Sequence, residues 1–440
     1  MEFPVKSNGV ILAAAFFWST ISPVAAQTEI TFWHAFSGGL AELLSTQVDA
    51  FNASQDDVVV VATRKGDYAE TFRAGIEAFG TEDHPSLLMV HDVATAAMVS
   101  TPRAFKPLHE VIALQDPDFT GDAFLPGIRG SFSQGDGRIL SLPFNTSTPV
   151  LWVNRDALTA AGIDPEVDLS TWEQVDDVLD LLKAAGNDCP LTTTWPSWIH
   201  LENFSAYHDV PFATPANGFG DAEAALALNG AAQVAHIDAL GAWAQEGKFI
   251  YSGRRNAAGA RFRAGECALL TESSAAYMSI RVHADFDLDV RPLPYWAALT
   301  ETPRNSIVGG ASIWVMAGQT EVEYQAAAAF LAYMSAAEVQ ANWHQNTGFL
   351  PIARSAVALA RARGFYLTNP GSEVAVAQVS ADAVTDNSRG LRLHALDQLR
   401  GIINEELEAV WFGENDAQAA LDSAQSRGEA VLRRYHQVTR

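Results

Sequence analysis

Cysteine is nearly absent: only Cys189 and Cys267 occur. Two thiols cannot hold a structural zinc by themselves, and the eleven histidines form neither an HExxH motif nor a Cys–His cluster. No metal site is expected. The pair is either a disulfide, if the chain is exported, or two buried thiols. Basic residues are also scarce, with 28 Lys and Arg against 52 Asp and Glu, a formal net charge of −24. A nucleic-acid partner needs a basic face and is set aside. An anionic small molecule is not excluded, because one Arg and a few oriented backbone N–H groups can make a pocket locally positive. No run reaches about eighteen consecutive apolar residues, so no membrane-spanning helix is expected. No G-x-S-x-G nucleophile elbow occurs. The nearest approach to a phosphate loop, Gly241–Lys248, has five residues between its glycines and Phe249 after the lysine. It reads as a helix end. Internal repeats, low-complexity tracts and long linkers are missing too.

The 440 residues are 48% apolar and 18% charged, ample for a core in two large lobes. Residues 1–26 read as a secretory signal peptide. Lys6 opens it, Val10–Trp18 is apolar, and Val24, Ala25 and Ala26 suit a signal peptidase. The mature chain is then exported. It begins with strand–helix–strand–helix–strand over Glu29–Trp33, Gly39–Asn52, Val58–Ala62, Asp67–Phe79 and Ser86–Val90. That order predicts an α/β lobe with a largely parallel sheet. Asp67 and Glu70 form a capping box. In such sheets ligands lie at strand ends, which makes Tyr68, His91 and Asp92 candidates by position.

Leu140–Asp156 is the pivot of the chain. Two short apolar segments flank Asn145, Thr146, Ser147 and Thr148, and Pro149 keeps the connection extended. It reads either as a crossover between lobes, with its hydroxyls facing the gap, or as a polar loop. Beyond it, Thr171–Gln174 caps a helix running to Gly186. Further helices are expected over Ala231–Glu246, Glu321–Asn346, Leu396–Phe412 and Asp416–His436, with strands at Cys267–Thr271 and Ser312–Met316. Trp195, Trp198, Phe204, Tyr207 and Phe212 crowd one short stretch. Trp195 and Trp198, three apart, would share the face of a helical turn. They are either core or a wall for a glycerol or sugar skeleton. Ser273 either caps a helix or holds an anion there. Gly310 either turns the chain or admits a backbone N–H to a ligand. Arg392, between two leucines, is a surface cation or a partner of an acid.

Taken together, the stretches ITFWHAF (30–36), KGDYAETF (65–72), PFNTSTPVLWVN (143–154), WIHLENFSAY (198–207), GECALLTESS (265–274), VGGASIWVM (308–316), WHQNTGFLP (343–351) and GLRL (390–393) resemble a known family. It is the periplasmic sn-glycerol-3-phosphate-binding proteins of ATP-driven importers. The resemblance implies a two-lobed class II solute-binding fold with the ligand between the lobes. One lobe would hold 27–146 and 309–350, the other 147–308 and 351–440. It implies no catalysis, and a membrane permease and cytoplasmic ATPase as partners. Position by position, it places Tyr68, Ser147, Trp195, Trp198, Ser273, Gly310 and Arg392 in the pocket, with Arg392 on the phosphate. Two positions depart from the pattern. Asp92 stands for the glutamate at the glycerol end, and Phe349 replaces a tyrosine. Relatives that take glycerophosphodiesters such as glycerophosphocholine also carry Asp there, although they can lose a pocket Trp and this chain keeps both. Those diesters are the alternative ligands. A secreted phosphodiester hydrolase is the rival of another class, disfavoured because no metal cluster or activated nucleophile is visible.

Overall fold

Strand β1 (Thr28–His34) lies between β2 (Val58–Arg64) and β3 (Leu87–His91), parallel to both. The helices Gly38–Ala53 and Tyr68–Ala78 make the two connections. Asp67 caps the second through the predicted box: its side chain accepts from Glu70 N, and Glu70 accepts from Asp67 N. The two helices are the crossover connections that a parallel sheet requires. In this computed structural model the described residues are 1, 2, 4, 27–220, 223–380 and 384–439. Apart from residues 1, 2 and 4, the expected signal peptide lies outside them.

The rest of the sheet departs from the largely parallel expectation. Its order is β2-β1-β3-β12-β4, where β4 is Phe105–Lys106 and β12 is Ala311–Met316. Strand β5 (Leu142–Pro143) also pairs with β12, and all three of these later pairings are antiparallel. The reason is topological. β12 returns from the far side of the molecule and so meets β3 from the opposite end. The inner faces bury Ile30, Phe32, Leu87, Phe144, Ile313, Phe330 and Trp343 in one cluster.

A second sheet is built from β6 (Pro149–Asn154), β7 (Leu191–Thr193), β10 (Leu269–Ser273) and β11 (Leu288–Arg291), in the order β11-β6-β10-β7. A short ribbon of β8 (Ala213–Thr214) and β9 (Ala225–Leu226) stands apart. The helices Trp172–Ala184, Ala231–Gln245, Leu396–Trp411 and Ala417–Thr439 cover one face around Leu151, Trp172, Leu240 and Leu407. The other face carries Trp152, Phe262, Leu270 and Val379. The helix Pro126–Phe132 precedes the crossover, yet Leu125, Ile128 and Phe132 pack into this last cluster. Cys189 and Cys267 are joined as a disulfide beside it, which resolves the two sequence readings. The stretch Glu321–Asn346 is two helices, Glu321–Ser335 and Ala337–Thr347, separated where Ala336 turns extended.

Three segments pass side by side between the sheets. Ser147 and Gly309 exchange both backbone hydrogen bonds at 3.0 Å, and Leu350 N donates to Thr146 O at 2.8 Å. The Thr148 and Ser306 hydroxyls bond each other in the same seam. The polar run at the crossover is therefore buried structure. Thr146, Ser147 and Thr148 are all shielded from water.

Candidate functional site

The seam gathers most of the predicted residues. Ser273 ends β10 and caps the following turn, accepting from Ala275 N at 3.1 Å. Its hydroxyl donates to the Ser147 hydroxyl at 2.8 Å, so the two predicted serines meet. Gly310 sits at φ 123°, a conformation reserved for glycine. A Cβ there would stand 2.1 Å from Asn145 O. Gly310 O accepts from Asp92 N at 2.8 Å, which draws the end of β3 to the same point. The Trp198 indole lies against Gly309, with Cζ2 3.0 Å from where a Cβ would be. On the near side, Asn145 Nδ2 donates to Tyr68 Oη at 2.8 Å, and the Tyr68 ring stacks on His91 with centroids 4.6 Å apart. Burial pushes the Tyr68 pKa up to about 12, so its hydroxyl stays protonated.

Two predicted residues stand in adjoining contacts. The Phe349 ring stacks on Trp343, which stacks on Phe144 next to Asn145. Arg392 donates from Nη2 to Ser133 O at 2.6 Å and lies over the Phe219 ring, 4.1 Å from its centroid. Arg389 lies over the same ring at 4.5 Å. Among the described residues, Arg392 makes no ion pair, and its buried Nε has no partner. Burial, reinforced by Arg389, pulls its pKa down to about 10. It remains charged at neutral pH, a buried cation that pairs with no carboxylate among the described residues.

The expected Trp195–Trp198 face does not form. Trp195 precedes Pro196, whose ring excludes the right-handed helical conformation at the residue before it. Trp195 instead takes φ 44°, outside the helix, and packs at the edge of the second sheet's core. Trp198 opens a π-helical turn, Trp198–Asn203, every residue of which is buried. Asn203 Nδ2 bonds back to Trp198 O at 3.0 Å, and its Oδ1 accepts from Ile307 N at 2.8 Å. A left-handed non-glycine followed at once by a π turn is the kind of local cost that accumulates at functional sites.

Sequence reasoning missed a buried ion cluster. Arg400 donates from Nε and Nη2 to the two carboxylate oxygens of Glu202, at 2.7 and 2.8 Å. Nη2 also reaches Asp92 Oδ2 at 3.0 Å. Burial would raise the Asp92 pKa, but the Arg400 charge and hydrogen bond outweigh it and hold the carboxyl below its usual range. Asp92 Oδ1 lies 3.1 Å from His91 Nδ1 without a hydrogen bond to it. Buried polar atoms in the seam lack partners among the described residues: Asp92 Oδ1, Asn145 Oδ1, Thr146 Oγ1 and Trp198 Nε1, as does Arg392 Nε against Ser133 and Phe219. Buried polar groups are nearly always paired, so such a group of exceptions marks a place for a polar ligand. Acceptors and hydroxyls lie around Asp92, and Arg392 is a buried cation with no counter-ion among the described residues.

Comparisons with known proteins bear on the family and the fold. A family model described as bacterial extracellular solute-binding protein matches residues 46–364. The sn-glycerol-3-phosphate-binding periplasmic protein UgpB of Yersinia pseudotuberculosis serotype I (strain IP32953) is 41% identical over 416 residues, covering 94% of each chain. Among solved structures, the cyclic alpha-maltosyl-1,6-maltose binding protein of Arthrobacter globiformis superposes with TM-score 0.77 at 21% identity, over 92% of this chain and 99% of that one. UgpB from Mycobacterium tuberculosis, in complex with glycerophosphocholine, gives 0.76 at 21%, over 93% and 100%. These share the two-lobed α/β fold. The chain belongs to the bacterial extracellular solute-binding protein family, as a relative of the UgpB periplasmic binding proteins.

Proposed function

We propose that this chain is the periplasmic receptor of an ATP-driven importer and captures sn-glycerol-3-phosphate. It is exported through its N-terminal signal, binds without catalysing, and delivers the ligand to a membrane permease driven by a cytoplasmic ATPase. The observation that carries the reading is Arg392, a buried guanidinium that has no carboxylate and no Nε partner among the described residues. Arg400 is not a rival for the phosphate, because its fork is already filled by Glu202 and Asp92. A phosphate wants a guanidinium, hydroxyls and backbone N–H groups. In this reading Arg392, Ser147, Ser273 and Gly310 supply them. Asp92, Tyr68 and Asn145 take the glycerol hydroxyls, Trp198 lines the carbon skeleton with Trp195 behind it, and Phe349 stands toward the phosphate. The relatives' printed name adds support for the ligand.

A glycerophosphodiester is the second reading, favoured by one observation. The Phe349 ring offers no hydroxyl to a third terminal phosphate oxygen, and a diester has only two. Calorimetric titration of residues 27–440 with sn-glycerol-3-phosphate and with glycerophosphocholine tests both. The expected result is binding of the monoester with no product after prolonged incubation. Preference for the diester would move the chain to the second reading. Heat from neither, or turnover of either, would overturn the proposal.

A further inference from the structure

Glu272 is a buried carboxyl with no part in the proposed ligand contacts. It stands on β10 immediately before Ser273. Leu270, two residues earlier on the same face, belongs to the cluster of Trp152 and Phe262. Only 4% of Glu272 is exposed. Its Oε1 accepts from Ser273 N at 2.8 Å, and Thr194 brings a hydroxyl to the same carboxyl. Its Oε2 lies against the helix Ala257–Arg263, 3.2 Å from where a Cβ on Gly259 would be. Arg263 Nη1 stands 3.4 Å from that same point. Around the carboxyl pack β6 with Trp152, the end of β7 with Thr194, and the helix of Gly259 and Arg263. Among the described residues Arg263 is the charged group that bears on Glu272, and the two form no ion pair. Burial therefore prevails and pushes the Glu272 pKa up to about 7.

We propose that Glu272 is a specificity-determining residue: it takes up a proton as the ligand's phosphate settles on Ser273, and so penalises a dianionic monoester more than a monoanionic diester as pH rises. This rests on the reading of Ser273 as a phosphate contact. The Ser273 backbone N–H points at Glu272 Oε1 while the Ser273 hydroxyl meets Ser147 in the seam, so carboxyl and phosphate lie on two sides of one residue. Two negative charges so placed repel each other, and a buried seam screens them poorly. With no cation paired to Glu272 among the described residues, the relief is one proton passing from the buffer to the carboxylate, with no bond of the ligand altered. An anion on Ser273 raises the Glu272 pKa further. Above about 7 the complex then holds more proton than the free protein, and affinity falls as pH rises through that window. A dianion repels about twice as strongly as a monoanion, so its fall is the steeper.

The test titrates wild type and Glu272→Gln by calorimetry with sn-glycerol-3-phosphate and with its phosphate methyl ester, a singly charged diester. The monoester's own second ionisation, at about 6, is nearly complete from about pH 7 upward. Between about pH 7 and about pH 8.5, wild type should lose about tenfold in affinity for the monoester and about threefold for the diester. Glutamine matches the size of glutamate, keeps an acceptor for Ser273 N and does not titrate, so the variant should hold both affinities constant. Wild type alone also decides the matter. Its heats in Tris and in HEPES at about pH 7.5 should show uptake of about half a proton or more per monoester bound. Heats independent of the buffer's ionisation enthalpy, or the same pH profile in variant and wild type, would overturn the proposal while leaving the phosphate site standing. Equal falls for the two ligands would overturn the selection by charge. No heat from either ligand would remove the phosphate contact at Ser273, and the proposal with it.

Discussion

Replacing Arg392 with Met should make the unliganded protein more stable while abolishing capture of glycerol-3-phosphate. Burial, with Arg389 nearby, pulls the Arg392 pKa down to about 10. At about 1.36 kcal/mol per pKa unit, the depression from the usual value corresponds to about 3 kcal/mol against the charged form. For a cation with a lowered folded pKa, this penalty holds at every pH below about 10. Two contacts offset it. The hydrogen bond to Ser133 O contributes about 1.5 kcal/mol, the low end for a charged donor. The stack on Phe219 contributes about 1 kcal/mol more. A methionine of similar volume keeps the packing and removes all three effects, leaving a net gain of about 0.5 kcal/mol. Binding moves the other way. Each lost charge-assisted hydrogen bond to phosphate costs about 1.5–3 kcal/mol, or roughly ten- to a hundredfold in affinity. Urea unfolding without ligand measures the first effect and calorimetry the second. Excess glycerol-3-phosphate should then stabilise wild type by mass action and the variant not at all. An unliganded variant less stable than wild type would refute the account of a buried, uncompensated cation. Wild-type affinity in the variant would refute the phosphate site.

Three further outcomes are expected. Phe349→Tyr should strengthen glycerol-3-phosphate binding by up to about tenfold in calorimetry, since it restores a donor to the third phosphate oxygen; unchanged affinity would mean the ring does not face the phosphate. Gly310→Ala should lower stability in urea by about 1–3 kcal/mol and weaken binding, because φ 123° and the approach of Asn145 O leave no room for a Cβ; normal behaviour of this variant would contradict the seam geometry. The His200 pKa is held near 3 by burial, so between pH 6.5 and 3 the unfolded chain binds a proton the folded chain refuses, and stability falls with pH in that window, by about 2 kcal/mol from 6.5 to 4.5. Glu272, raised by burial to about 7, opposes this by gaining stability as pH falls from 7 to 4.5, so the stability gap between wild type and His200→Gln isolates the histidine and should shrink on acidification; a gap that does not change would refute it.

The parts of this fold legible in the sequence were those set by neighbours a few residues apart. Asp67 and Thr171 form their capping boxes, and Asn154 caps its short helix by accepting from Ala157 N, because all the partners lie within one turn. Alternation likewise placed β1, and a continuous apolar run placed β2. The antiparallel return of β12 was not legible, because it depends on where the chain goes between residues 143 and 311. Ser147 and Ser273 could be named from a resemblance, but not the hydrogen bond that joins them across 126 residues. Arg400 and Glu202 each look like solvated charges when read alone, and only the fold brings them together. The Trp195 error was avoidable. Pro196 was in plain sight, and a residue before proline seldom starts a helix.

The π turn at Trp198–Asn203 carries one more consequence. It holds one residue more than an ordinary helical turn would use, and each residue of a helix rotates its successors by about 100°. Deleting a single residue there would restore regular winding and swing the Trp198 indole off Gly309, with few changes elsewhere in the sequence. The wall of this cleft can thus be recut by a change in length as well as by substitution. Alignments that treat such a one-residue gap as noise would miss a change of ligand.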